Sequence, residues 1–499
     1  MLALGPADAS HRPMLTSLLA PALALIQEPL QLGTRREPFV DRHLIERLEG
    51  AELRLGSPRD EGIVLTFDRP WEGPFCGYST VLRDGDRLLL YYRGLPTAGA
   101  DGTDREVTCV ATSADGVRWE RPELELFPGP SGEPTNIVLA RQAPASHNFS
   151  PFLDTRPGVP RDERFKALAG TEATGLLAFA SADGLSWRRL GDEAVFRDGI
   201  FDSQNVAFWS DAEERYLCYF RTWTGQGYSG FRTVSRTTSE DFRQWSEPEV
   251  MTFGGTPQEH LYTNQTHPYF RAPHVYVGLA ARFFPGKRVL TDADAARLGV
   301  DPGYFRDCSD AVLLTSRGGS AYDRTFMEGL LRPGLGLENW VSRSNYPALG
   351  IVRTGATEMS LYVNQSYAQP TAHLRRYSLR VDGLAAVVAG YEGGELLTRP
   401  FTFEGDELTL NLATSAAGQL RVEVQDGAGE ALEGLALADA VPMVGNDLER
   451  CVTWSSGADL GSLAGRAVRL RIQLQDAHLY SLRFRRRAEA LQEDRPDDR

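Results

Sequence analysis

Four acids stand in short irregular stretches just ahead of aromatic, strand-like runs: Glu72 in the bend Trp71-Glu72-Gly73, Asp202 ahead of VAFW, Glu259 ahead of LYTNQTHPYF, and Glu358 three residues after Gly355. Carboxyls brought together from such distant positions could supply a proton donor and a base or nucleophile. Asp68, which closes the apolar run 63–67, either competes with Glu72 or opens a turn before Pro70. Trp71 offers a flat face for stacking a ligand or else fills the core. The amides of Asn148, Asn264 and Gln265 can donate and accept at once, which suits them to a hydroxyl-bearing ligand. His267 is read as a hydrogen-bonded residue in preference to a base, and Asp154, ahead of an Arg-Pro-Gly turn, as structural. Arg93, Arg221 and Arg282 each follow an aromatic strand. They face an anionic ligand or pair with acids of neighbouring repeats, and pairing is the reading adopted. No His, Asp or Glu cluster has metal-ligand spacing, and Cys76, Cys109, Cys218, Cys308 and Cys451 form no CxxC, so no metal, cofactor or disulfide framework is expected.

These residues are positioned by repeats. TSADGVRW (112–119), SADGLSW (181–187), TSEDFRQW (238–245) and TSRGGSAY (315–322) are variants of one turn, and their serines Ser113, Ser181, Ser239 and Ser316 are spaced 68, 58 and 77 residues apart. Such spacing is too long for a solenoid and fits blades of about four strands. Upstream of each turn lies a polar stretch, a strand, a turn and an aromatic-rich strand, beginning at Gly77, Asn148, Asp202, Asn264 and Glu358. Five such units predict an all-β fold, a five-bladed β-propeller over residues 36–380 with its innermost strands around a central funnel. Helical patterning is confined to residues 292–298 and 43–48. Past Arg380 the repeat stops, and alternating runs at 407–412, 420–424, 468–474 and 480–484 predict an antiparallel β-sandwich over 381–487, with a charged tail at 488–499.

A five-bladed propeller followed by a β-sandwich, with S-x-D-G-x-x-W turns in its blades, resembles the furanosidase superfamily of invertases, inulinases and levanases, and the arabinanases and arabinofuranosidases on a similar propeller. The resemblance spans residues 60–485 and lacks the N-D-P-N-G signature of invertases in the first blade. It implies a glycoside hydrolase acting on furanosides or related oligosaccharides, with three carboxylates at the mouths of inner strands. FDSQNVAFW is similar to the R-D-P-x-V-F-W segment that supplies the transition-state stabiliser, with Asp202 at the acid and Phe201 and Ser203 replacing Arg and Pro. By the same likeness Glu72 or Asp68 is the nucleophile or base, and Glu259 or Glu358 the proton donor. Trp71, Arg93, Asn148, Asn264, Gln265 and His267 are then substrate contacts. A binding protein that has lost the trio remains open, as does a phosphorylase with basic residues beside a single acid.

The chain of 499 residues is long enough for two domains, and 42% hydrophobic with 24% charged residues is the composition of a folded protein. A net charge of -14 argues against nucleic acid as a partner. No apolar stretch reaches the length of a membrane span. Residues 14–26 within the 1–35 leader are either an export signal, giving a secreted or periplasmic protein, or a disordered start of a cytoplasmic one. The sequence carries no sign of a particular oligomeric state.

Overall fold

The computed structural model describes residues 28–487. Runs such as RLLLYYRG and RYLCYFRTW, short and rich in aromatic residues, form strands because flat and branched side chains pack on a pleated surface. The first blade is built from Gly77–Asp84, Arg87–Gly94, Val107–Ser113 and Ile137–Leu139; the second from Ser150–Leu153, Phe165–Thr171, Gly175–Ser181 and Arg188–Arg189. Val206–Ser210, Arg215–Trp223, Arg232–Ser239 and Glu249–Val250 make the third. In the fourth, Leu261–Thr263 and Thr266–Tyr269 pair with Ala272–Phe284, which pairs with Cys308–Ser316.

The fifth blade corrects the sequence reading. Its innermost strand is formed by Tyr346–Pro347 and Val352–Arg353; Glu358–Gln365 is the second strand and His373–Arg380 the third. The outer strand is Arg59–Thr66, from the other end of the propeller sequence, which closes the ring against His373–Arg380.

The repeated turn is held the same way in three blades. The Ser113 hydroxyl accepts the Gly116 N–H at 2.8 Å and the Asp115 carboxylate accepts those of Val117 and Arg118 at 2.8 and 2.9 Å; Ser181 with Asp183 and Ser239 with Asp241 repeat the pattern. Each turn also meets a neighbouring blade. The hydroxyl of Tyr91 in the first blade donates to the Gly184 carbonyl in the second at 2.8 Å, and Tyr362 of the fifth donates to Gly116 of the first at 2.6 Å. Gly184, at φ +76°, has no room for a Cβ beneath that hydroxyl. The fourth copy has no Asp; its Ser316 hydroxyl donates instead to the Ala321 carbonyl at 2.7 Å.

A second unit is a ten-stranded sheet folded over one apolar core. Its spine is Glu407–Asp426 against Val468–Arg485, whose ladder slips between Thr414 and Gln419, so that the sheet turns back and Leu408, Leu410 and Leu412 join Leu420, Val422 and Val424 in that core. Residues 30–55 belong here and not to a leader or the propeller: Leu30–Gly33, Arg36–Pro38, Ile45–Glu49 and Ala51–Leu55 pair with strands of the C-terminal half. The helical expectation at 43–48 fails because Ile45–Glu49 finds a ladder partner in Gly394–Thr398, and tertiary pairing outweighs a weak helical pattern. Asp292–Leu298 is the expected helix, with a Thr291/Asp294 capping box and Gly299 at its end. Residues 1–27 and 488–499, which hold the leader and tail expectations, lie outside the described residues. Among the described residues no helix is long and apolar enough to cross a membrane.

The two units share buried charge. The Asp382 carboxylate accepts from Tyr269 (2.7 Å) and Arg271 (2.6 Å) of the fourth blade and from Asn411 (2.9 Å) and Ser481 (2.7 Å) of the folded sheet. Burial raises its pKa, but Arg271 and Arg36 outweigh that and hold it below the usual carboxylate range. Glu37, in the sheet, accepts from His274 and Arg317 of the fourth blade, each at 2.8 Å. A chain ending at Arg380 therefore loses the partners of residues 30–55 and leaves Arg271 without Asp382. We expect it to aggregate or to melt at clearly lower temperature than the full chain, and a soluble fragment with unchanged melting would refute this dependence.

Candidate active site at the funnel mouth

The first strands of the blades lie side by side around the axis. The residues that begin them meet at one end, where Tyr78, Tyr262 and Tyr346 form an aromatic cluster with Phe283. Second strands run antiparallel to the first, so their last residues reach the same end and deliver Arg93 and Arg221. The opposite end of the channel opens into a 660 Å³ cavity lined by the strand ends Leu153, Phe208 and Val352, and a 680 Å³ cleft separates the fifth blade from the folded sheet. Both are larger than the space of about 10 Å³ beside Tyr78, Arg343, Tyr346 and Asn364 at the mouth. The mouth is nevertheless where titratable and polar groups from all five blades converge.

Three guanidiniums face one phenol. The Cζ atoms of Arg221, Arg232 and Arg343 lie 4.2, 5.2 and 5.6 Å from the centre of the Tyr262 ring. Burial would raise the Tyr262 pKa, but Arg343 and Arg221 prevail and hold it below its ordinary value. Asp202 is ion-paired to Arg221, which also donates to the Asp202 carbonyl at 3.0 Å, and its side chain is 35% exposed. On the opposite side Glu106, fully buried, accepts from His147 Nδ1 at 2.9 Å, and the His147 ring stands edge-on to Tyr78. Asp101, salt-bridged to Arg93 at 2.7 Å, lies beside them; its burial is outweighed by Arg93, Arg343 and His147, which lower its pKa.

The rim is aromatic. Trp223 packs on Tyr228, which is 56% exposed and donates to Glu172 at 3.0 Å. Several buried polar atoms at the mouth have no hydrogen-bond partner: Asn148 Oδ1, both side-chain polar atoms of Asn205, the Tyr346 hydroxyl and Asn364 Nδ2. A buried group of this kind is costly unless something bonds it.

Of the four acids singled out from the sequence, Asp202 alone joins the arginine–tyrosine cluster of the mouth; Glu259, two residues ahead of Leu261–Thr263 at the same end, is engaged by arginines of its own blade. Glu72 is fully buried in the wall between the first and fifth blades, accepting from Arg121 Nε at 2.8 Å and Tyr92 at 2.5 Å, and no substrate reaches it there. Asp68 is exposed, 3.4 Å from the same Arg121, and the Trp71 indole N–H donates to Asn136 at 2.8 Å as the ring packs in the core. Glu259 is tied to Arg282 (2.7 Å) and Arg324 (2.5 Å). Glu358 begins a second strand, so it sits at the opposite end, paired with Arg376 and lining the cleft toward the folded sheet.

The amides are mostly spent on the protein. Asn264 Oδ1 accepts the Thr266 N–H at 3.0 Å, while Gln265, at φ +49°, donates to Gln204 (2.7 Å) and the Pro347 carbonyl (2.9 Å). Asn148 donates to the Phe201 carbonyl at 3.2 Å and keeps its oxygen free. Arg282 pairs with Asp310, and Asp154 with Lys166, as their structural readings require. His267 lies toward the far end of the channel: Nδ1–H donates to the Gln265 carbonyl at 2.9 Å and Nε2 accepts the Ile351 N–H at 3.1 Å, an arrangement that only the neutral ring satisfies. The sequence reading missed Glu106, His147, Tyr262 and Arg343. One signal was present: Ser344-Asn345-Tyr346 has the polar residues ahead of a strand seen at Ser203-Gln204-Asn205 and Thr263-Asn264-Gln265.

No family model and no curated protein matches the chain. Among solved structures it is similar to an N-acetylgalactosamine deacetylase from F. plautii (TM-score 0.43, 13% identity, covering 66% of this chain and 96% of that one). It is also similar to a β-1,2-mannobiose phosphorylase from Listeria innocua (TM-score 0.40, 11% identity, 66% and 97%) and to the catalytic domain of an α-L-arabinofuranosidase from Coprinopsis cinerea (TM-score 0.39, 9% identity, 67% and 99%).

Two outcomes follow. Glu72→Gln leaves Arg121, among the described residues, only the exposed Asp68 as counter-charge, and should cost about 2 kcal/mol in denaturant unfolding; a change below about 0.5 kcal/mol would contradict a structural Glu72. Burial pushes the His267 imidazole down to about 4 from 6.5, against the Gln265 hydrogen bond that raises it. Because the folded pKa is the lower one, the unfolded chain binds more protons between those values. The contribution is therefore complete above pH 6.5 and lost as pH falls toward 4. His267→Gln should flatten the fall in melting temperature across that window; an identical slope in wild type and variant would rule the bridge out as its source.

Proposed function

We propose that this chain is a carbohydrate-active enzyme that cleaves a glycosidic bond at the funnel mouth. The observation that carries the reading is the pairing of a half-exposed Asp202 with buried, unpartnered polar atoms of Asn148, Asn205, Tyr346 and Asn364, at an end rimmed by Trp223 and Tyr228. Sugar hydroxyls both donate and accept, and the apolar face of a sugar ring stacks on an indole or phenol. In this reading Asp202 faces the positive charge that develops at the anomeric carbon, with Arg221 fixing its orientation. The Glu106–His147 dyad handles the proton: Glu106 holds Nδ1, which leaves Nε2 for the reacting oxygens. The anomeric C–O bond breaks, the oxygen of water bonds to that carbon, and one proton of the water ends on the leaving oxygen. Dispersal of Glu72, Glu259 and Glu358 favours a second reading, a propeller that binds sugar without cleaving it.

The test is a panel of aryl furanosides and pyranosides with fructans, arabinans, galactans and acidic oligosaccharides. On any substrate the wild type cleaves, Asp202→Asn and His147→Gln should each lower kcat by about 100-fold or more in a chain that still folds, with Asp202→Asn melting somewhat lower because the buried Arg221 loses its counter-charge. His147→Gln should also remove one limb of the pH profile. Equal turnover by Asp202→Asn would sink the assignment.

A further inference from the structure

We propose that the funnel mouth contains a seat for the carboxylate of an acidic sugar, formed by the guanidiniums of Arg343 and Arg232 with the hydroxyl of Tyr346. The proposal rests on the carbohydrate reading above and names the substrate class.

Most other buried or half-buried arginines of the propeller are matched by acids: Arg93 by Asp101, Arg121 by Glu72, Arg236 by Glu213, Arg282 by Asp310 and Glu259, and Arg376 by Glu358; away from the mouth Arg380 is spent on Asn411 and two carbonyls, and Arg156 lies over the Tyr216 ring. Among the described residues neither Arg343 nor Arg232 has a carboxylate within ion-pair distance. Arg343 donates only to Tyr367, at 3.4 Å, and both stack around Tyr262, where Asp202 is already engaged by Arg221. Cations gathered in a partly dry site repel one another and remain costly until an anion joins them. The two guanidiniums differ in how they are held: burial and the neighbouring Arg221 shift Arg232 downward in pKa, whereas at Arg343 burial is outweighed by the surrounding tyrosines Tyr262, Tyr367 and Tyr78, which shift it upward. The chain as a whole carries -14, so a local surplus of positive charge at its funnel is not a by-product of composition.

The orphaned atoms say what the ligand must bring. Arg221 Nε, Arg232 Nε, the Tyr346 hydroxyl and Asn364 Nδ2 are buried without partners, and each can donate. What they lack is an acceptor, and an ionised carboxylate is an acceptor at both oxygens. Tyr346 is 5% exposed, so the unmet hydroxyl is not served by bulk solvent. Inorganic phosphate would offer the same oxygens, but the exposed ring of Tyr228 on the rim, packed on the Trp223 that carries Arg232, favours an anion carried on a ring.

The experiment is calorimetric binding to the full chain of methyl glucuronide and methyl galacturonide, their neutral glucoside and galactoside counterparts, and inorganic phosphate. Uronides should bind at least about tenfold more tightly than neutral counterparts, and added salt should weaken them. Arg343→Gln and Arg232→Gln should each abolish the preference while melting at the wild-type temperature or above, because removing a surplus cation relieves repulsion. Arg197→Gln, at an exposed pair with Glu193, should leave the preference intact. If one arginine variant fails to fold, the other and the salt dependence still decide. Equal binding of neutral and acidic sugars, preference retained in both variants, or binding of phosphate without uronides would each overturn the seat. Uronide binding with no cleavage of any substrate would retain the seat and defeat the cleavage reading; cleavage of neutral glycosides with no acidic preference would do the reverse.

Discussion

The pairing of Arg59–Thr66 with His373–Arg380 is the constraint on which the rest of the molecule depends. A ring of blades is stable only when its last blade is completed, and here the missing strand comes from the other end of the propeller sequence. The closure brings the first and fifth blades together, and the seam is reinforced by Arg121, which binds both Glu72 and the Thr66 carbonyl. It also brings Tyr346 and Arg343 of the fifth blade to Tyr78 and Arg93 of the first. Without the seam there is no mouth.

Closure fixes the second unit too. Once residues 59–66 are committed to the fifth blade, the chain before them emerges beside the chain that leaves it at Arg380, and residues 30–55 join the strands after 380 in one sheet. Asp382 stands at this exit and binds donors from both sides. A carboxylate so buried is tolerable because each oxygen has partners and a guanidinium lies against it. The charges at the mouth follow a different rule: there, guanidiniums outnumber the acids that could neutralise them.

Four copies of the repeated turn, three of them held by serine and aspartate on the same backbone N–H groups, made the repeat legible in the sequence, and the five polar stretches with their aromatic strands gave the number of blades. Asp202 was legible for a related reason: four of the five polar stretches ahead of first strands were recognised, and it lies in one of them. The fifth was displaced to Glu358, since alternating Met359, Leu361 and Val363 look as much like an innermost strand as a second one. A shift by one strand exchanges the two ends of the funnel, and that is how Glu358 came to be expected at the mouth. Glu72 misled differently. Nothing in its local sequence reveals Arg121, 49 residues away, which turns a reactive-looking acid into a buried ion pair. The Glu106–His147 dyad was hidden for the same reason, its members being 41 residues apart on neighbouring blades.

Tying the two ends of the chain together also sets a timetable for synthesis. Strand 59–66 leaves the ribosome before its partner at 373–380 has been made, and at ordinary elongation rates the interval is roughly 15 to 60 s. The segment at 30–55 waits longer still, for strands that end at Arg485. Through that interval the nascent chain carries half-apolar strands with open edges, while the middle blades are free to assemble. Chaperone demand should therefore track elongation speed more than thermodynamic stability, and circular permutants opened in a loop between middle blades would exchange one long wait for two shorter ones.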